Sequence, residues 1–301
     1  MTLACAIAAL TVAFPRPGQR MPPVDRCYMI GAAARGVTNV VVQGRDVPVY
    51  RTGAWATLVD VAPGSNTVEV VCGGETTNRT FFVEAKPSSP PAAAPERKWT
   101  KVEYTKDEAR PHPSGKSPSE ITIVVDPGHG GGTDSGAWSP HGIPEKTANL
   151  KVAFELRQAL TNLGFKVVMT RESDVALNLY ERPRCAVTND ADAFVSIHHN
   201  APAYDRDPSD PRFHAVYAWN DIGKRLAKSI NDRMAEALDG EFQSRGVIHA
   251  NFVVTRNPET PSCLVEADFI TSPEGEEAIF DPCHRKIVAE AIAAGIADWC
   301  R

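Results

Sequence analysis

The stretch from Lys86 to Ser119 constrains the architecture of this chain more than any other feature of its sequence. Pro87, Pro90, Pro91, Pro95, Pro111, Pro113 and Pro118 fall within it, among Ala, Ser and charged residues. Each proline fixes φ and removes a backbone donor, so neither a helix nor a sheet ladder can run through the segment. The chain must fold as separate units on either side of a semi-extended linker, residues 86–119, with room for one short strand at Trp99–Tyr104. At 301 residues and 43% hydrophobic, it holds enough apolar material for one large domain and one small one.

Charge narrows the partners. A formal net charge of −5 supplies no basic surface for counterion release, so nucleic acid is not expected as a ligand. The apolar run Leu3–Phe14 is shorter than the about 20 residues a membrane-crossing helix needs. Its position and its ending at Phe14-Pro15-Arg16-Pro17 fit the core of a secretory signal, although no basic residue precedes it. Residues 1–24 are therefore expected to be a signal or N-terminal segment, with a buried strand as the other reading. The seven cysteines form no C-x-x-C pair. In an oxidising compartment, Cys27 with Cys72 and Cys283 with Cys300 would be the bridges, while Cys185 and Cys263 suit apolar cores.

Residues 25–85 carry short β-rich runs, Val37–Val42, Val47–Tyr50, Ala54–Val61, Thr67–Val71 and Thr80–Val83, punctuated by turn residues. This spacing predicts a small all-β, sandwich-like module, read as a spacer without ligand specificity. From residue 120 to 301 strands alternate with helices, which predicts an α/β domain with an open mixed or parallel sheet flanked by helices. Expected strands are Ile121–Val125, Phe165–Met169, Ala193–Ile197, Ala215–Trp219, Asn251–Thr255 and Cys263–Ala267. Leu156, Leu160 and Leu163 mark a helix ending near Gly164. A helix over Leu177–Asp190 is expected to break at Pro183. Ile222, Leu226, Ile230, Met234 and Leu238 mark a long helix, and Val288, Ile292, Ile296 and Trp299 the closing one.

The chemistry-bearing residues fall at strand ends or just beyond, where open α/β sheets place ligands. Val124-Val125-Asp126-Pro127-Gly128-His129-Gly130-Gly131 ends a buried strand in a tight turn with His129 at its centre. Glu145 stands at a helix N-terminus, where a carboxylate also suits the helix dipole. Phe194-Val195-Ser196-Ile197-His198-His199-Asn200 ends a strand in paired histidines. Two imidazoles and a carboxylate form an open three-ligand zinc set. Glu266 closes the apolar Leu264-Val265, where a carboxylate is costly unless it is paired or functional. It is placed to act as a base toward a metal-activated water.

Taken in order, Asp126-Pro127-Gly128-His129-Gly130-Gly131, Glu145-Lys146-Thr147-Ala148-Asn149-Leu150, Thr170-Arg171-Glu172-Ser173-Asp174, Leu179-Tyr180-Glu181-Arg182, Ser196-Ile197-His198-His199-Asn200 and Leu264-Val265-Glu266 resemble the zinc-dependent N-acetylmuramoyl-L-alanine amidases of the amidase-3 type. The resemblance runs from about Ile121 to Arg301. It implies one zinc ion held by His129, Glu145 and His198, with Glu266 as the catalytic carboxylate. It also implies peptidoglycan as substrate, cut at the amide between muramic acid and L-Ala, and action in the secreted, periplasmic or envelope space. Expected substrate contacts are Asn200 and Arg245. A metallopeptidase on stem-peptide bonds and a non-catalytic wall-binding protein are the competing readings.

Some positions depart from the family. His199 stands where a small residue is usual, so it competes with His198 as a ligand. Ala267-Asp268-Phe269 replaces the usual Gly-Phe, and the added charge of Asp268 is expected either to raise the pKa of Glu266 or to alter substrate preference. Ala201–Pro211 stands in place of the inserted regulatory helix of some relatives. Arg171 is expected to pair with Asp174, Arg182 to anchor its helix to the sheet, and His214 and His249 to be structural. Asn78-Arg79-Thr80 matches a glycosylation triplet, a short pattern that arises often by chance.

Overall fold

The computed structural model describes residues 10–87, 112–209 and 212–301. The strand expected at Trp99–Tyr104 and most of the proline-rich linker lie outside these residues. The alternating runs before the linker form β1 (Leu10–Phe14), β2 (Arg20–Met21), β3 (Arg26–Ala33), β4 (Asn39–Val42), β5 (Arg45–Pro48), β6 (Ala54–Asp60), β7 (Gly64–Cys72) and β8 (Glu75–Val83). They make a β1-β3-β6 sheet and a β2-β8-β7-β4-β5 sheet. Met29, Ile30, Trp55 and Phe81 are fully buried in the one core cluster of this module.

Leu10–Phe14 of the N-terminal apolar run pack in this module as a strand, in keeping with the second reading given to that run. Leu10, Val12 and Phe14 are buried while Thr11 and Ala13 are less so, and β1 pairs antiparallel with β3. A period of two is what a sheet edge packed on one face selects. Among the described residues the module thus includes Leu10–Met21 in addition to residues 25–85, and Leu3–Ala9 lie outside the described residues. Strand β3 is nearly all buried, so it lacks the polar alternation by which its neighbours were recognised.

The second unit contains β9 (Thr122–Pro127), α1 (Glu145–Asn162), β10 (Lys166–Met169), α2 (Glu181–Thr188), β11 (Ala193–Asn200), β12 (Phe213–Ala218), α3 (Asp221–Ala237), β13 (Gln243–His249), β14 (Ser262–Phe269), α4 (Pro273–Phe280) and α5 (Pro282–Trp299). The strands form one mixed sheet in the order β10-β9-β11-β14-β12-β13. The first four are parallel; β12 runs against β14, and β13 follows β12. Leu156 of α1, Leu226 and Ile230 of α3 and Ile292 of α5 bury one face of the sheet. Ala186 of α2 covers Val124, Phe194 and Leu264 on the other.

Three local expectations change. Asn251–Thr255 holds a short 3-10 turn at Val253–Thr255, and the edge strand is Gln243–His249, whose exposure leaves little apolar signal. Helix α2 runs through Pro183, which sits in its first turn, where the missing N–H has no intrahelical acceptor. Neither expected disulfide forms: Cys27, Cys72, Cys283 and Cys300 are free thiols. Cys283 begins α5 and Cys300 caps its far end. At 1.5 Å per residue an 18-residue helix separates its ends by about 25 Å, far beyond disulfide reach. Cys27 and Cys72 are each buried in the sandwich core, on different sheets. Among the described residues no helix is long and apolar enough to cross a membrane.

The two units pack against each other directly. The Tyr28 N–H donates to the Tyr204 carbonyl at 2.8 Å, and the Phe14 ring stacks on Tyr28 and Tyr204 with centroids 4.6 and 5.9 Å away. Arg51 pairs with Glu277 at 2.7 Å.

Candidate active site

Because β9, β11 and β14 are parallel neighbours, their C-terminal ends lie side by side, and α1 begins over the same edge. This brings together His129 just after β9, Glu145 in the first turn of α1, and His198 near the end of β11. One ligand atom from each lies within 4.8 Å of the others. Glu145 is at the centre: its Oε2 is 3.2 Å from His129 Nε2 and its Oε1 is 3.0 Å from His198 Nδ1. Register pairs His198 with Glu266 across the β11–β14 ladder, so the fourth candidate stands beside the cluster.

The surrounding chain fixes this arrangement. His129 has φ +61°, a left-handed conformation that non-glycine residues seldom adopt and that needs support from outside. Arg171 donates to the carbonyls of Pro127 and Gly128, each at 2.9 Å. Arg182 donates to the His129 carbonyl at 2.8 Å and pairs with buried Asp126 at 2.8 Å. Two guanidiniums thus clamp the turn from below. Arg182 ties α2 to the sheet as expected, but Arg171 does not pair with Asp174, which takes Lys146 at 2.6 Å. A side chain on Gly128 would collide with the His198 ring, and one on Gly136 with Glu145 and His129. Both positions leave the cluster its space.

The electrostatics follow from one buried carboxylate between two imidazoles. Burial alone would raise the pKa of Glu145, but hydrogen bonds and charge from His129 and His198 hold it well below the usual carboxylate range. Burial disfavours a charged His129, yet Glu145 and Asp134 outweigh it and lift its pKa to about 9. The site is therefore built to hold positive charge. Two imidazoles and a carboxylate with converging atoms suit a divalent cation, and the Asp134 carboxylate, 2.6 Å from His129 Nδ1, leaves Nε2 facing the cluster. Glu266 behaves oppositely. Burial, and then the charge of Glu145, push its pKa well above the usual range. Its Oε2 is buried with no hydrogen-bond partner among the described residues.

Residues 123–298 match the family described as N-acetylmuramoyl-L-alanine amidase. The chain belongs to that family. It is 36% identical over 181 residues to the probable cell wall amidase LytH of Staphylococcus epidermidis, a match covering 59% of this chain and 58% of that protein. The chain thus spans under two thirds of that curated relative. Among solved structures it resembles the N-acetylmuramoyl-L-alanine amidase AmiC2 of Nostoc punctiforme, with 34% identity and a TM-score of 0.55. The catalytic domain of CwlV from Bacillus (Paenibacillus) polymyxa var. colistinus has 31% identity and a TM-score of 0.55. Each similarity covers 60% of this chain and 97% of the other.

Within this amidase fold the remaining sequence candidates separate. His199 points away from the cluster: it is buried, its Nδ1 lies 2.7 Å from Asn149 Oδ1, and burial lowers its pKa to about 4. Asn200 turns its side chain onto its own loop, where Oδ1 accepts from the Ala201 N–H at 2.8 Å. Arg245 lies over the Phe213 ring at 4.6 Å, near the start of reversed strand β13 and therefore on the same sheet edge as the cluster. Asp268 does not raise the pKa of Glu266 as expected. The register shifts between Glu266 and Phe269, and Asp268 forms a buried pair with Arg212 that neutralises it. Two residues escaped sequence reasoning. Asn149 donates to Glu145 Oε1 at 3.1 Å and to the Gly128 carbonyl at 3.2 Å, a role that its place one helical turn after Glu145 could have suggested. Asp134 lies in a loop whose course no periodicity announces.

Proposed function

We propose that this chain is a zinc-dependent peptidoglycan amidase that acts outside the cytoplasm and hydrolyses the amide between N-acetylmuramic acid and the L-alanine of the stem peptide. The observation that carries this reading is a buried, partnerless Glu266 oxygen on the strand next to a converging His129–Glu145–His198 cluster. An isolated buried carboxylate oxygen destabilises the fold, so its persistence beside that cluster supports a chemical role.

His129, Glu145 and His198 would hold the zinc. That ion would supply a Lewis acid, lowering the pKa of a water to about 7 and polarising the amide carbonyl. The protein's own groups do the rest. Glu266, its pKa raised by burial, accepts a proton from the water and returns it to the departing alanine nitrogen. Asp134 keeps the tautomer of His129 fixed, and Asn149 keeps Glu145 in place. The water's hydroxyl ends on the lactyl carbonyl carbon and its proton on the amine, so atoms balance.

Mass spectrometry of digested peptidoglycan tests the reading. It should find intact stem peptides with a free L-Ala amine and glycans ending in a lactyl carboxylate. The release should stop with a chelator and return with zinc. A new amine on the diamino acid or on D-Ala would make the protein a peptidase. Retention on the wall with no new amine would make it a binding protein.

A further inference from the structure

A groove of about 800 Å³ lies where the β-sandwich meets the amidase unit. One wall is the turn after β1, including Arg16 and Gln19. The other is Ser135, Gly136 and Trp138. That second wall is continuous with the cluster, because the neighbouring Ala137 N–H donates to Glu145 Oε2 at 3.0 Å. The stacked rings of Phe14, Tyr28 and Tyr204 also line it.

The groove's charge is one-sided. No lining residue is acidic, and Arg16 is the only charged one. Its guanidinium lies 4.9 Å from the Trp138 ring centroid and has no carboxylate partner among the described residues. Cation–π contact with Trp138 orients the planar fork while leaving its donors open. An oriented, unpaired guanidinium in an acid-free groove leading to an amide-cleaving centre selects a carboxylate on the chain being cleaved.

We infer that Arg16 and Trp138 form a specificity subsite, built across the two units, for a free carboxylate on the stem peptide beyond the scissile amide. This rests on the amidase reading above. The stem peptide continues from L-Ala into a γ-linked glutamate whose α-carboxyl group is either free or amidated, so the subsite distinguishes acidic from amidated peptidoglycan. The β-sandwich is then part of the substrate site rather than a spacer.

The test is calorimetric titration of the full chain with L-Ala-γ-D-Glu-L-Lys and with the same tripeptide amidated at the glutamate α-carboxyl. A charged hydrogen bond of ordinary strength makes the acid bind about tenfold tighter. Arg16→Gln should abolish that preference by weakening the acid alone, and Arg16→Lys should keep part of it. Arg16 is exposed, so neither substitution threatens folding. Equal affinity of the wild-type chain for both tripeptides, or a preference that survives Arg16→Gln, overturns the subsite. So does binding of a peptide-free disaccharide that competes for the groove. Cleavage of peptidoglycan with no such preference would remove the subsite and leave the amidase reading standing. A preference without cleavage would do the reverse.

Discussion

At the residue scale, Glu266 and the cluster are separable by substitution. Glu266→Gln keeps the shape of the side chain and removes the proposed base. It should retain metal, measured by atomic emission, while turnover on muramyl peptides falls by about 10²–10⁴-fold. His129→Ala and His198→Ala each take one donor from three and should lose the metal itself, which the same emission measurement reads directly. Full metal content in His198→Ala would move the ligand role to His199, despite its burial against Asn149. These four positions were legible in the sequence because each ends an apolar strand or begins a helix, and the order of strands in an α/β sheet sets those ends side by side. Asn200 and Arg245 were not separable in that way. Whether a side chain turns to its own loop or to solvent depends on packing that no spacing records.

Elements carry their own predictions. Helix α2 is fastened to β9 by the buried Arg182–Asp126 pair. Arg182→Leu leaves Asp126 buried without its counter-charge and frees the His129 carbonyl. Breaking a buried pair on one side costs about 3–5 kcal/mol, which urea unfolding would measure. His214, on β12, is buried with neither ring nitrogen hydrogen-bonded among the described residues, and burial lowers its pKa from 6.5 to about 4. The unfolded chain binds a proton between those values that the folded chain refuses. This contribution is therefore complete above pH 6.5 and is lost as the pH falls toward 4. Its full size is on the order of 3 kcal/mol. Unfolding in urea at pH 7 and pH 4.5 should show a larger loss for the wild type than for His214→Phe. The sequence revealed most of the amidase unit's elements, where strands buried on both faces and amphipathic helices leave strong patterns. It was weakest at the edge strands β13 and β1 and at the central strand β3. Exposed β13 carries few apolar residues, β3 is buried along nearly its whole length, and β1 lies in an apolar run that an export signal imitates.

At the scale of the whole molecule, the sandwich and the amidase unit share a contact surface that sequence could not announce. It joins Phe14 and Tyr28 to Tyr204, and Arg51 to Glu277, across a linker that pattern reading treats as a separator. Calorimetry should show one unfolding transition for the full chain. Tyr204→Ala, which removes the outer ring of the stack at a cost of about 0.5–1.5 kcal/mol, should lower the transition temperature and broaden or split the peak. The groove between the units has a consequence for exchange of modules. A wall-degrading enzyme can trade an appended anchoring module for another and keep its chemistry and selectivity alike. Here Trp138 comes from one unit and the cation it orients from the other. A hybrid with a different sandwich would still fold its amidase sheet and bring its cluster together. On the inference drawn above, it would lose the acid preference with the Arg16 side chain, so the selectivity would travel with the pair of units and not with the amidase sheet alone.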